Sequence, residues 1–76
     1  MARRITQDQE LVAIGSNIKS KRLSLGLTQE DVAEMVGINT RTFQDIESGK
    51  VDIKTATIKK LVAVLKFKNS ADLLGF

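Results

Sequence analysis

The stretch 27–50 constrains the fold of this chain most, because it holds start and stop signals for two short helices. Thr28 is a favourable N-cap with polar and acidic residues behind it, so a helix is predicted to begin at about Gln29. An apolar stripe follows at Val32, Ala33 and Val36. Gly37 can adopt the left-handed conformation that stops a helix, so we predict that this helix ends near Val36.

A second helix follows after a very short connection. Asn39 can cap it, and Phe43 and Ile46 fall on one of its faces. Gly49 can end it in the same way as Gly37 ends the first. Two short helices joined this closely must cross at a steep angle, so the stretch predicts a helix, a tight turn and a helix.

This pattern resembles the helix-turn-helix of the lambda-repressor-like family, the Cro and Xre-type regulators. The residues that match within the stretch are Gln29, Ala33, Gly37, Glu47 and Gly49. Upstream, a run similar to the first helix of lambdoid phage repressors comprises Lys19, Ser20, Lys21, Arg22, Leu25, Gly26 and Leu27. The resemblance covers roughly residues 14–65 and implies a DNA-binding domain with its helix-turn-helix at helices 2 and 3.

A chain of 76 residues forms one domain at most. It contains no proline, its aromatic residues are three phenylalanines, and its aliphatic residues recur at helical spacing, so no sheet is predicted. We therefore predict an all-α fold of five helices around one compact core. Residues 1–5 are expected to form a flexible basic arm, and residues 6–76 a single helix-turn-helix DNA-binding domain.

Cysteine and histidine are both absent, which removes disulfides, thiolate chemistry, the commonest general base and the commonest metal ligand. We therefore expect no enzyme, no cofactor, no metal and no small-molecule substrate. The apolar runs are too short to span a bilayer, and Arg3 and Arg4 precede polar residues rather than the apolar stretch of a signal peptide. A cytoplasmic protein without a membrane partner is expected.

The charge is distributed unevenly. Residues 26–49 carry five acidic side chains and one basic side chain, whereas the flanking segments are basic and the net charge is +3. Contacts with DNA phosphates are therefore expected from the flanking segments and from backbone amides.

The segment before the helix-turn-helix predicts one long helix over about residues 7–25. Thr6 and Gln9 have the spacing of a capping box at its start. Its apolar face would be formed by Leu11, Ile14, Ile18 and Leu25. Because Gly15 costs roughly 1 kcal/mol relative to alanine inside a helix, the helix can equally begin again at Ser16.

Two more helices are predicted after Gly49. Apolar periodicity at Ile58, Leu61, Val62 and Leu65 indicates a fourth helix over about residues 54–66. Asp52 or Thr55 can supply its cap. Ser70 can cap a last short helix over residues 71–74.

The polar side chains of the second motif helix are candidates for contacts with bases, because this helix of such a motif enters the major groove. Arg41 can offer two donors to guanine, and Gln44 can pair with adenine. Asp45 can accept from cytosine, and Thr40 can contact a thymine methyl group or a phosphate. The alternative is that this polar face is only solvated.

At Gln29 the resemblance implies an amide that contacts a DNA phosphate and braces the recognition helix; the alternative is an exposed glutamine that starts a helix. Further candidates for phosphate contacts are Lys19, Lys21, Lys50 and Lys54. Each lysine can equally serve solubility alone. Arg3 and Arg4 can lie in a minor groove as an arm that orders on binding, or they only aid solubility.

The resemblance also implies an ion pair between Arg22 and Glu47, which would link the first helix to the end of the recognition helix. If the pair is buried, removal of one partner costs about 3–5 kcal/mol, because the other charge is left without a partner. An exposed pair would contribute little.

The C-terminal apolar residues Leu73, Leu74 and Phe76 exceed what five short helices need. Family members commonly dimerise through their last helices, so we expect these residues to form a dimer interface; the alternative is that they close the core. Phe67 is expected in the core instead.

We interpret the sequence as a DNA-binding transcriptional regulator, more specifically a repressor, that binds an inverted repeat in double-stranded DNA as a homodimer. The recognition helix would comprise about residues 39–48. The alternative is an antitoxin-like interaction module that mainly binds a protein partner such as a toxin, which the acidic charge of the motif favours. Steep salt dependence of DNA binding would favour the regulator.

Overall fold

The computed structural model describes residues 7–75, and side chains from residue 9 onward. This part of the chain is helical throughout, with short turns between the helices. The five helices are α1 (Gln7–Ser24), α2 (Gln29–Val36), α3 (Thr40–Ser48), α4 (Thr55–Val64) and α5 (Ser70–Leu74). The predicted all-α class and the number of helices are confirmed.

The capping residues of the helix-turn-helix fix the bounds of α2 and α3 as predicted. Thr28 and Asn39 have extended backbones, and each accepts a backbone N–H of the following turn through its side-chain oxygen, at 3.0 and 2.9 Å. Gly37 and Gly49 have φ of 87° and 78°, and each ends its helix in the left-handed conformation. Local sequence therefore determines where α2 and α3 start and stop.

The structure decides between the two predicted starts of the first helix, and it corrects two predicted caps. α1 continues through Gly15, so the helix does not begin again at Ser16. The N-cap of α4 is Lys54 rather than Asp52 or Thr55, and the Lys54 side chain makes no capping hydrogen bond. α5 is capped by Asn69 rather than by Ser70, because the asparagine Oδ1 accepts the backbone N–H of Asp72 at 2.9 Å. The predicted cap of α1, Thr6, lies outside the described residues.

The core forms where all five helices meet. α1 packs against α3 and α5, α2 packs against α3 and α4, and α4 packs against α5. The largest fully buried side chains are Phe43, Ile18, Leu61, Leu65, Leu73 and Val32. Leu25 was predicted on the apolar face of α1 but is 38% exposed, because the helix ends at Ser24 and the chain turns away.

α1 and the end of α3 approach each other so closely that their backbones touch. A Cβ placed on Gly15 would clash with the backbone carbonyl oxygens of Ile46 and Glu47. A Cβ on Gly49 would lie 2.6 Å from Val12 Cγ2. The glycine inside α1 is therefore required by packing at this crossing.

The opposite side of α1 holds α5. Asn17 Nδ2 donates to the carbonyl oxygens of Leu73 at 2.7 Å and Asp72 at 3.0 Å. These carbonyls lie in the last turn of α5, where carbonyl oxygens lack the regular partners of a helix interior. α1 thus contacts α3 on one side and α5 on the other.

No helix within residues 7–75 is both long enough and apolar enough to cross a lipid bilayer.

Candidate nucleic-acid interface

The outer face of α3 presents the side chains that were predicted to contact bases. Phe43 and Ile46 are buried on the inner face of this helix. Arg41 and Gln44 are exposed, while Thr40 and Asp45 are half-buried. The four predicted side chains therefore share one accessible surface, and Arg41 and Gln44 are the most accessible of them.

The N-terminus of α2 is closed by a reciprocal pair of hydrogen bonds. The backbone N–H of Thr28 donates to Asp31 Oδ2 at 2.9 Å, while Thr28 Oγ1 accepts from Asp31 N at 3.0 Å. The backbone N–H and then the hydroxyl of Thr28 lower the pKa of the Asp31 carboxyl below its usual value. This capping box fixes the start of α2, where Gln29 lies.

The ion pair predicted between Arg22 and Glu47 is present and buried. Arg22 Nε donates to Glu47 Oε2 at 2.7 Å, and Nη2 donates to Oε1 at 3.3 Å. The two side chains are only 8% and 4% exposed. Arg22 Nη1 also donates to the carbonyl oxygen of Leu27 at 2.8 Å. One guanidinium therefore connects α1, the turn before α2, and α3.

Gln29 joins this pair to the outer face of α3. Its Nε2 donates to Glu47 Oε1 at 2.9 Å, and its Oε1 accepts from Gln44 Nε2 at 3.2 Å. The brace that the resemblance implied for Gln29 is thus a pair of hydrogen bonds to α3. The sequence indicated the ion pair and the brace separately, but it did not reveal that both use the same carboxylate.

Asp45 contacts a side chain of its own helix. Arg41 Nε donates to Asp45 Oδ1 at 3.4 Å, one helical turn away, with the Arg41 side chain 78% exposed. The i,i+4 spacing of the two residues was the sequence signal for this pair. The Asp45 carboxylate contacts only the Nε of Arg41. The two terminal nitrogens of Arg41 therefore stay available for contacts outside the chain.

The predicted phosphate-contacting lysines differ in their environments. Lys19, Lys50 and Lys54 are exposed. Lys21 is half-buried, and its Nζ lies 5.6 Å from the centroid of the Phe67 ring, which places a cation over an aromatic face. Arg3 and Arg4, the predicted minor-groove arm, lie outside the described residues.

The predicted dimer residues also differ from one another. Leu73 is fully buried in the core of its own chain, so it has no surface to offer a partner and the expectation for it needs correction. Leu74 is half-buried and lines a shallow cleft. The cleft has a volume of about 220 Å³ and is bordered by Glu10, Ala13, Ile14, Leu74 and Gly75. Phe76 lies outside the described residues.

Phe67 belongs to the core, as predicted, with 9% of its surface exposed. In the part of the chain that the structure describes, no group of three or more acidic residues, cysteines or histidines lies close enough together to hold a metal ion.

Comparison with known proteins identifies both a family and a similar structure. The model of the Helix-turn-helix family matches residues 18–72. A solved structure with a similar fold is that of the restriction-modification controller protein C.AhdI from Aeromonas hydrophila, with a TM-score of 0.80 and 26% sequence identity. This match covers 86% of the present chain and 97% of that one. The family match contains α2, α3 and α4 in full.

Proposed function

Because this chain belongs to the Cro/C1-type helix-turn-helix family of DNA-binding transcription regulators, we propose that it is a repressor that binds an inverted-repeat operator as a homodimer. The observation that carries the proposal is the outer face of α3. Arg41 and Gln44 are exposed there, and both are held by polar neighbours. This face therefore offers a duplex two polar side chains whose positions are restrained.

In this proposal α3 enters the major groove and its outer side chains contact base edges. Arg41 offers its terminal nitrogens to guanine O6 and N7, and Gln44 offers its amide to adenine. Thr40 and Asp45 flank these contacts. Gln29 and the backbone amides at the start of α2 bind a phosphate, because the helix N-terminus carries partial positive charge.

The flanking lysines would supply the electrostatic attraction that the acidic helix-turn-helix lacks. Lys19, Lys50 and Lys54 are exposed, so each can approach a phosphate without rearrangement of the core. Lys21, held over Phe67, would act from a more fixed position. Arg3 and Arg4 would reach into the adjacent minor groove.

The proposed dimer uses the C-terminal end of the chain. Leu74 and Phe76 supply apolar surface, and the cleft between α1 and α5 beside Leu74 gives this surface a concave neighbour. A single small domain contacts only a few base pairs, so a dimer on half-sites spaced about 34 Å apart provides the needed specificity.

The test is a selection from a random duplex library at near-physiological salt, with the enriched sequences compared for symmetry. We expect an inverted repeat whose half-sites are about one helical turn apart. Sedimentation of the protein with the selected duplex should give two chains per duplex. Folded protein that enriches no sequence would contradict the proposal.

A second candidate function is an antitoxin-like module whose main partner is a protein. The observation that favours it is the outer face of α2, where Glu30, Asp31 and Glu34 are exposed beside Met35, which is 52% exposed. A basic protein surface with an apolar contact would fit this face better than DNA. DNA binding that is weak and insensitive to salt would favour this candidate, whereas sequence preference with steep salt dependence would favour the repressor.

A further inference from the structure

We propose that the buried carboxylate of Glu47 acts through Gln29 to fix which way the amide of Gln44 faces, and that it thereby sets adenine as the base that Gln44 recognises. The inference rests on the proposed function, since it concerns the operator that α3 contacts. It assigns to Glu47 a positioning role in sequence recognition in addition to its ion pair.

Glu47, Gln29 and Gln44 form a relay of hydrogen bonds, and Glu47 determines which group donates at each step. An ionised carboxylate only accepts hydrogen bonds and a guanidinium only donates them, so Arg22 keeps both carboxylate oxygens as acceptors. The group of Gln29 that lies 2.9 Å from Glu47 Oε1 must therefore be its NH₂ end. The carbonyl oxygen of the Gln29 amide consequently faces Gln44.

The amide of Gln44 is oriented by Gln29 in the same way. The Gln29 oxygen is an acceptor, so the group that lies 3.2 Å from it must be the NH₂ end of the Gln44 amide. One of the two N–H bonds on Gln44 Nε2 is used in this contact. The remaining N–H and the carbonyl oxygen Oε1 are left for the major groove.

One donor beside one acceptor matches adenine. Adenine presents a donor at N6 and an acceptor at N7, so Gln44 Oε1 can accept from N6 while its free N–H donates to N7. Guanine presents two acceptors, O6 and N7, so Oε1 would face an acceptor there. A glutamine free to turn its amide could offer both N–H bonds to guanine, and the relay prevents this.

The test compares duplexes that carry adenine or guanine at the base pair contacted by Gln44. That pair is identified as the operator position at which Gln44→Ala abolishes base preference. We expect the wild-type protein to bind the adenine duplex about tenfold or more tightly than the guanine duplex, and Gln29→Met to lower that ratio severalfold. Gln29→Met leaves the Arg22–Glu47 pair intact, so its melting temperature should stay near that of the wild type.

Lys50→Met is the control, because it removes a proposed phosphate contact that lies outside the relay. It should weaken binding to both duplexes equally and leave their ratio unchanged. Glu47→Gln adds a test of charge: the substituted amide can donate or accept, so the relay loses its fixed direction and the adenine preference should fall severalfold in folded protein.

The outcomes separate the relay from the proposed function. A wild-type protein that prefers no duplex sequence overturns both. A wild-type protein that prefers guanine at this pair, or keeps its adenine preference in folded Gln29→Met, overturns the relay alone. If Glu47→Gln does not fold, Gln29→Met still decides the matter.

Discussion

Lys66 has a left-handed backbone, with φ of 62°, and no other non-glycine residue does so in the part of the chain that the structure describes. It follows the end of α4, where the N–H of Phe67 donates back to the carbonyl oxygen of Val62 at 3.0 Å. Glycine usually occupies this position of a helix end, because a Cβ is disfavoured there. The chain therefore retains local strain at Lys66.

Lys66→Gly should raise the free energy of unfolding by roughly 0.5–1 kcal/mol, since the relief of strain exceeds the added entropy of the unfolded chain. Urea denaturation measures this change. Lys68→Gly, in the same loop but with ordinary backbone, is the control and should give no gain. Equal effects of the two substitutions would contradict the assignment of strain to Lys66.

Arg41→Ala tests recognition by a single side chain. Because Arg41 is highly exposed, its loss should leave the melting temperature nearly unchanged. Specific binding should weaken by about 1–3 kcal/mol, with relaxed preference at one base pair. Competition binding against an unrelated duplex, together with thermal denaturation, checks both parts. An unfolded variant would instead make Arg41 structural.

For single residues, the sequence predicted which way a side chain points better than which other side chains it contacts. The phase of α3 relative to Phe43 placed Arg41 and Gln44 outward, because the period of a helix fixes such directions. The shared use of Glu47 by Arg22 and Gln29 depends on how three segments pack, which periodicity does not encode. Leu73 was misplaced for a similar reason: the hydrophobicity of a residue does not reveal which side of a short helix faces the core.

At the scale of helix packing, α1 and α3 lie so close together that Gly15 has no room for a side chain. Gly15→Ala should therefore destabilise the fold by about 1–3 kcal/mol, even though alanine is the better helix former by roughly 1 kcal/mol. Ser16→Ala, at the next and exposed position, should change stability by less than about 0.5 kcal/mol. Chemical denaturation of both variants checks the difference, and a stabilised Gly15→Ala would refute the close contact.

The Arg22–Glu47 pair joins the same two elements by charge. Glu47→Ala leaves Arg22 buried without a partner and should cost about 3–5 kcal/mol. Asp45→Ala breaks the neighbouring pair with exposed Arg41 and should cost less than about 1 kcal/mol. Thermal or urea unfolding distinguishes them. Similar losses in the two variants would mean that burial adds nothing to the first pair.

Helix bounds could be predicted where one residue dominates the choice. The ends of α2 and α3 are examples. Each has one residue with a strong capping preference and no equally good neighbour: Thr28, Asn39, and the glycines after the two helices. At α5 two good capping residues, Asn69 and Ser70, are adjacent, so propensity alone could not choose between them. At α4 the cap makes no side-chain bond, so packing of Leu61 and Leu65 decides where that helix lies.

For the whole molecule, the uneven charge distribution predicts how DNA binding responds to salt. If the exposed lysines outside the helix-turn-helix neutralise phosphates, Lys50→Gln should reduce the slope of log K against log salt by about 0.9 for each bound chain. Lys59→Gln, on the exposed side of α4, should leave the slope unchanged. Titrations across a range of salt concentrations give both values, and equal slopes for wild type and Lys50→Gln would exclude this phosphate contact.

α1 touches α3 through Gly15 and Arg22, and it holds the end of α5 through Asn17. In the proposed dimer, α1 therefore fixes the distance between the two-fold axis near α5 and the major groove that α3 enters. The separation of the two recognition helices, and hence the spacer length that an operator must have, is then determined by a helix that contacts no base. If α1 is rigid, the dimer binds operators with identical half-sites differently when their spacers differ in length.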